Sequence, residues 1–221
     1  MLIREGTEIK QVRSASGLLE LRALEGPEAA RWLDDIVRIR VELYREFPYL
    51  YDGDAAREAL CLRTYLECGE AVFLAAFDGD RIAGFSSSIP LAMEDEALTE
   101  PFRRAGLDPA DYLYIGEMLV EAPWRSWKLL WEHKKYHEAR ARALHLKYVA
   151  MVTVDRAENH PLRPRRYKPL EHIIHYCGYE KIRDLSVSMR WPRADSGSER
   201  ANRLSVWRRR VLPEEGEGHG S

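Results

Sequence analysis

The spacing of apolar residues changes several times along this chain, and each change marks an element. From Leu18 to Leu24 (LLELRAL) apolar and polar positions alternate, the period of a strand with one buried face. Gly26, Pro27 and Glu28 then open a helix, because proline is tolerated in a first turn and an acid is favoured there by the helix dipole. Trp32, Ile36, Ile39, Leu43 and Phe47 recur at helical spacing, so that helix is predicted to reach about Phe47, where Pro48 ends it. Tyr49 to Asp54 reads as an aromatic turn. A second helix is expected from about Ala55 to Glu67, with Cys61 and Cys68 on one apolar face.

Two strands, Ala71 to Phe77 and Arg81 to Pro90, flank Asp78-Gly79-Asp80, a strong hairpin signal. Met93 to Pro109 is polar and reads as a loop with a short helix. Tyr112 to Val120 and Tyr148 to Val154 carry few charges and read as central strands, each followed by a helix: Trp127 to Leu144 after the first, Leu170 to Cys177 after the second. Gly178 suits the position just past a helix end. Ile182 to Trp191 is a further strand, and Leu204 to Val211 adds a last one at an edge. The order describes an α/β sandwich on a mixed sheet, in which ligands bind where neighbouring strands part. Residues 1–17 read as a flexible segment, 18–211 as one domain and 212–221 as a disordered tail.

Composition narrows the class. The hydrophobic fraction of 45% supports a sizeable core, and a net charge of -2 implies no polyanionic partner. No apolar run approaches the ~20 residues of a membrane helix, and the first seventeen residues lack the apolar stretch of a signal peptide. Three unpatterned cysteines, Cys61, Cys68 and Cys177, suit a reducing cytoplasm.

Several short segments then agree on one family. Phe47 to Asp54 (FPYLYDGD), Tyr114-Ile115-Gly116-Glu117, Glu138 to Leu144 (EARARAL), His160 to Pro164 (HPLRP), Pro169-Leu170, Gly178-Tyr179 and Trp191 follow one another as in a bacterial subgroup of the GNAT (Gcn5-related N-acetyltransferase) superfamily, which the chain resembles over about Leu18 to Val211. The resemblance implies a mixed, mostly antiparallel central sheet with helices on both faces. It also implies an N-acyltransferase, with acetyl-CoA or another acyl-CoA as donor, a small-molecule amine as acceptor and no metal. An acyl carrier protein or aminoacyl-tRNA as donor, a non-catalytic binding protein, and a homodimer stay open beside it.

The chemistry assigns roles. Amide formation from a thioester needs a base for the attacking amine, a donor to polarise the carbonyl and backbone N–H groups for the cofactor diphosphate. Glu117, the acid in an otherwise apolar strand, fits the base; its alternative is an ion pair with an arginine on a neighbouring element. The resembled cofactor region covers Leu119, Val120, Arg125, Ser126, Trp127, Lys128, Leu129 and Leu130. There the family carries Arg/Gln-x-x-Gly-x-Gly/Ala, and this subgroup an Arg-Gly-x-Gly-x-Gly run. Arg125 keeps the leading arginine, but Ser126, Lys128 and Leu130 replace glycines that let backbone approach phosphate. The competing reading has Trp124, Trp127 and Trp131 filling the cleft. Tyr176 is the candidate acid for the leaving thiolate. Tyr49, Tyr51, His160 and Arg163 are candidate substrate contacts, with arginine forks suited to an anionic group. His133/His137 and His172/His175 stand at spacings that tempt a metal assignment, but satisfied semi-core histidines fit better without an HExxH motif. Arg208 to Arg210 are expected on a solvated edge strand rather than at a nucleic acid.

Overall fold

The computed structural model describes residues 10–14 and 16–211. The expectations for residues 1–9 and for the tail 212–221 lie outside that range. Eight strands form one sheet: β1 (Lys10–Arg13), β2 (Leu18–Leu24), β3 (Val72–Asp78), β4 (Arg81–Pro90), β5 (Tyr112–Val120), β6 (Tyr148–Val154), β7 (Glu180–Arg193) and β8 (Ser198–Arg210), in the spatial order β1-β2-β3-β4-β5-β6-β8-β7. Every neighbouring pair is antiparallel except β5 and β6. The helices are α1 (Gly26–Arg31), α2 (Leu33–Tyr44), α3 (Ala55–Cys61), α4 (Arg63–Glu67), α5 (Glu96–Arg104), α6 (Trp127–Ala143) and α7 (Leu170–Tyr176). This is the expected mixed α/β architecture.

Strand alternation divides the core between two faces. Leu24, Phe73, Ala75, Phe77 and Phe85 pack under α1, α2 and α4 with Ile36, Ile39, Leu62 and Tyr65. Leu19, Leu21, Val72, Leu74, Ala76 and Ala83 point the other way, onto Trp124, Leu129 and Tyr136, the last two on α6. A third cluster joins Leu113, Ile115 and Val149 to Ala141 of α6 and Ile174 of α7. The inner strands are covered on both sides, which is why β3 and β5 read as near-continuous apolar runs.

Four elements differ from the sequence expectation. The long first helix breaks at Trp32, whose ring packs edge-on against Phe77 at 4.8 Å. The second breaks at Leu62, and Cys61 is exposed while Cys68 is buried, so the two thiols do not share a face. Strand β1 lies within the stretch read as flexible; only Val12 of its four residues is buried, too few for a pattern. The last strand is not an edge. β8 sits between β6 and β7, and its arginines are drawn onto neighbours: Arg208 to Glu180 at 2.9 Å and Arg209 to Glu138 at 2.8 Å. Paired charges covering a sheet mimic the polarity of an edge.

Candidate active site

A one-residue irregularity opens the sheet. On the β4 side, Glu117 is paired with Ser87 and Ile115 with Ser88, so Gly116 is an extra residue with no partner, a bulge. On the other side, β5 pairs with β6 only from Tyr112↔Tyr148 to Ile115↔Met151. Beyond that point the parallel strands part. Gly116 is required by a close approach: a Cβ there would meet the Tyr65 hydroxyl at 2.2 Å. The bulge also changes parity, placing Glu117 and Leu119 on the same face as Tyr112 and Tyr114.

A cavity of about 170 Å³ occupies the gap. Tyr49 and Glu117 reach it from the α2 side, whereas Leu130, His133, Ile174 and Tyr179 line it from the α6 and α7 side. It therefore runs through the sheet between the parted strands. Much of the wall is apolar, with Ile115, Met118, Met151, Val152, Leu170 and Ile173 contributing.

On the α2 side Glu117 belongs to a buried ionic network. Its carboxylate is ion-paired with Arg40 of α2 and accepts hydrogen bonds from Tyr44 at 2.7 Å and Ser87 at 3.1 Å. Arg40 also reaches Glu58 at 2.5 Å, and Glu58, fully buried, accepts from Tyr51. Burial alone would lower the Arg40 pKa, but Glu117, Tyr44 and Glu58 raise it well above its ordinary value, so the guanidinium stays charged. One arginine between two carboxylates leaves this trio with a formal charge of -1. Burial, then the charge of Glu117, pushes the Tyr49 phenol up to about 12, so it faces the cavity neutral. Of the two alternatives for Glu117, the ion pair with an arginine of a neighbouring element is present, and the residue also lines the cavity.

On the α6 side a chain of hydroxyls and imidazoles runs under β4. Ser86 Oγ lies 2.5 Å from His133 Nδ1 and 2.6 Å from His137 Nε2, and His137 Nδ1 lies 2.9 Å from Ser88 Oγ. Both histidines are buried. Burial pushes His133 down to about 3, and burial followed by the neighbouring His133 and Arg140 depresses His137 as well. These are folded-state pKa values below the unfolded one near 6.5, so the unfolded chain binds more protons and stability is lost as pH falls below about 6.5. His133 alone is expected to cost about 2 kcal/mol at pH 5. Chemical denaturation from pH 8 to pH 5 checks this; a flat profile would contradict burial of neutral imidazoles.

Two residues that line the cavity each carry a buried polar atom with no hydrogen-bond partner: His133 Nε2 and the Tyr179 hydroxyl. Natural interiors rarely leave such atoms unpaired.

The structure separates the sequence-derived residues. Trp127 and Trp131 are 58% and 39% exposed, and Trp124 is buried in the core under β2 and β3, so the indoles leave the gap open. Leu130 lines the cavity; Leu119, Val120 and Leu129 point into packed cores. Arg125 donates to the Val120 carbonyl at 2.8 Å and to Glu46 at 3.1 Å, Ser126 caps α6 by accepting from the Leu129 N–H at 3.2 Å, and Lys128 is exposed. Tyr176 is 74% exposed, packed edge-on against Trp127, and is absent from the cavity wall; the helix turns Ile173, Ile174 and Cys177 inward instead. Tyr51 is held by Glu58, away from the gap. His160 packs on Phe47 and contacts Arg193 at 3.2 Å, and Arg163 stacks over Tyr167, so both build the 156–169 loop outside the cavity. Among the described residues no cluster of acids, histidines and cysteines could hold a metal ion, and no helix is long and apolar enough to cross a membrane.

Sequence reasoning missed Arg40, Glu58, Tyr44 and the Ser86–His133–His137 chain as parts of this site. One signal was present. Ser86, Ser87 and Ser88 are three successive hydroxyls in a strand buried on both faces, and each needs a partner.

No protein-family model matches the chain, and no curated protein matches it in sequence. Solved structures match its fold. An aminoglycoside 6'-N-acetyltransferase complexed with coenzyme A is similar with a TM-score of 0.53 at 15% identity, covering 88% of this chain and 99% of that one. The GNAT domain of S. lividans PAT gives 0.57 at 14% identity over 92% and 97%. A Drosophila melanogaster polyamine N-acetyltransferase, which forms N-acetylagmatine, gives 0.53 at 12% identity over 86% and 100%.

Proposed function

We propose that this chain, which has the GNAT fold, is an N-acyltransferase that moves an acyl group from a coenzyme A-type thioester to the amine of a small cationic molecule. The observation that carries the reading is the cavity running through the sheet, open to Tyr49 and Glu117 on one face and to α6 and α7 on the other. A two-substrate transfer needs such a passage, because donor and acceptor must meet from opposite sides in a geometry that excludes water. Backbone groups of residues 116–119 that face β6 have no strand partner there, so an extended ligand carrying amides can pair with them.

Bound in the gap, an acyl thioester supplies the activated carbonyl. The residues of the chain do the rest. The formal charge of -1 on Glu58, Arg40 and Glu117 draws an ammonium group toward the opening. Glu117, the one carboxylate on the described cavity wall, takes the proton that the amine must lose before it attacks; the second proton, lost as the amide forms, goes to the thiolate that departs when the C–S bond breaks. Tyr49, held neutral, offers a hydrogen bond from the same side. Tyr176 takes no part in this scheme, since it faces solvent. Aminoglycosides and polyamines, the acceptors of two fold neighbours, are cationic amines of the kind this charge favours. Three free thiols fit a reducing compartment, and we place the protein in the cytoplasm.

The test is a thiol-release assay with acetyl-CoA and longer acyl-CoA donors against a panel of polyamines, aminoglycosides and amino acid amines, with products identified by mass. Amine-dependent thiol release matched by one N-acylated product is expected. Folded protein that turns over no donor with any amine would overturn the reading.

A further inference from the structure

The outer end of the donor site offers little grip, and the unmet hydrogen-bonding capacity belongs to two residues that line the cavity instead. At the start of α6, the Arg125 guanidinium is committed to Val120 and Glu46, the Ser126 hydroxyl to Leu129, and Leu130 brings an apolar side chain to the cavity wall. Among the lining residues, His133 on α6 and Tyr179 just past α7 each hold a buried, unpartnered atom, Nε2 and the hydroxyl. Resting on the acyltransferase reading, we propose that these two atoms anchor an amide of the donor's pantetheine arm, so that the protein recognises pantetheine thioesters with little help from the nucleotide end of coenzyme A.

The chemistry of the two atoms selects an amide. Ser86 has one hydroxyl proton and a histidine nitrogen on either side. If it donates to His133 Nδ1, then Nε2 carries the ring proton and is a donor; if His133 donates to Ser86, Nε2 is an acceptor. Ser88 beside His137 Nδ1 completes the chain in either arrangement. The Tyr179 hydroxyl both donates and accepts. An amide brings one donor and one acceptor and satisfies the pair whichever tautomer is present. A carboxylate or phosphate is a poorer match, because His133 and Tyr179 are both uncharged. The remaining cation on the wall, Lys134, is paired with Glu138 at 2.8 Å and sits over the Trp131 ring at 4.6 Å.

Calorimetry on the full chain tests this with coenzyme A and with pantetheine, which keeps both amides and lacks the nucleotide. The expected Kd values agree within about fivefold. Tyr179→Phe should weaken both ligands about tenfold, the loss of roughly one hydrogen bond. Its thermal midpoint should not fall, because the hydroxyl it removes is unbonded in the free protein. His133→Leu should show the same loss for both ligands. Coenzyme A binding a hundredfold tighter than pantetheine, or Tyr179→Phe binding both like the wild type, would overturn this inference and leave the acyltransferase reading standing. Saturation by neither ligand would overturn both. Thiol release from acetyl-CoA compared with an acetylated carrier protein then tells which source presents the arm.

Discussion

Glu117→Gln lowers kcat/KM for the amine by about a hundred- to a thousandfold, the usual weight of a positioned general base. The substitution isolates that role because the network can absorb it. Arg40 keeps Glu58 as a partner at 2.5 Å, and the trio goes from a formal charge of -1 to neutral rather than leaving a charge stranded. Glutamine still accepts from Tyr44 if its carbonyl oxygen takes the place of Oε2, and its NH2 then donates to the Ser87 hydroxyl in the place of Oε1. Unfolding in urea should therefore shift by no more than about 1 kcal/mol, while initial rates collapse. A variant within twofold of wild-type kcat/KM would show that the carboxylate serves only to hold α2 against β5.

Arg40→Met is the opposite experiment and damages the fold. It leaves Glu58, fully buried, and Glu117 facing each other across the space of one guanidinium without a counter-charge. Breaking a buried ion pair from one side costs about 3–5 kcal/mol, because the remaining charge keeps its desolvation penalty. Two carboxylates share the loss here, which puts the expectation at the upper end. Urea denaturation at pH 7.5 measures it. A loss under 1 kcal/mol would mean that water or another cation reaches the network, and that Glu117 is freer than its contacts imply.

The sheet was legible where burial on both faces made continuous apolar runs. Strands β5 and β6 carry the bounds that the sequence suggested, as does β4 after its Asp-Gly-Asp turn. Helix breaks at Trp32 and Leu62 were not, because a one-residue interruption leaves the 3.6 periodicity almost unchanged. The same limit hides the bulge: an extra residue changes which face Glu117 meets but not the composition of YIGEMLV. Glu117 itself stood out as an acid among apolar neighbours. Its partner did not, since Arg40 lies 77 residues earlier in the chain on a helix rich in charged residues. The missing glycines at Lys128 and Leu130 suggested a blocked cleft, yet the tryptophans around them turn outward or into the core. Side-chain direction at a helix start depends on where the helix docks, and spacing alone does not carry that.

Backbone-amide NMR of the labelled protein titrated with coenzyme A tests the open passage most directly. Saturating shifts should concentrate on residues 116–120 of β5, on Val152 to Val154 of β6 and on the inner face of α6 around Leu130 and His133. Resonances at those positions that stay unmoved at millimolar ligand, or shifts confined to the 156–169 loop, would contradict a thioester seat between the parted strands.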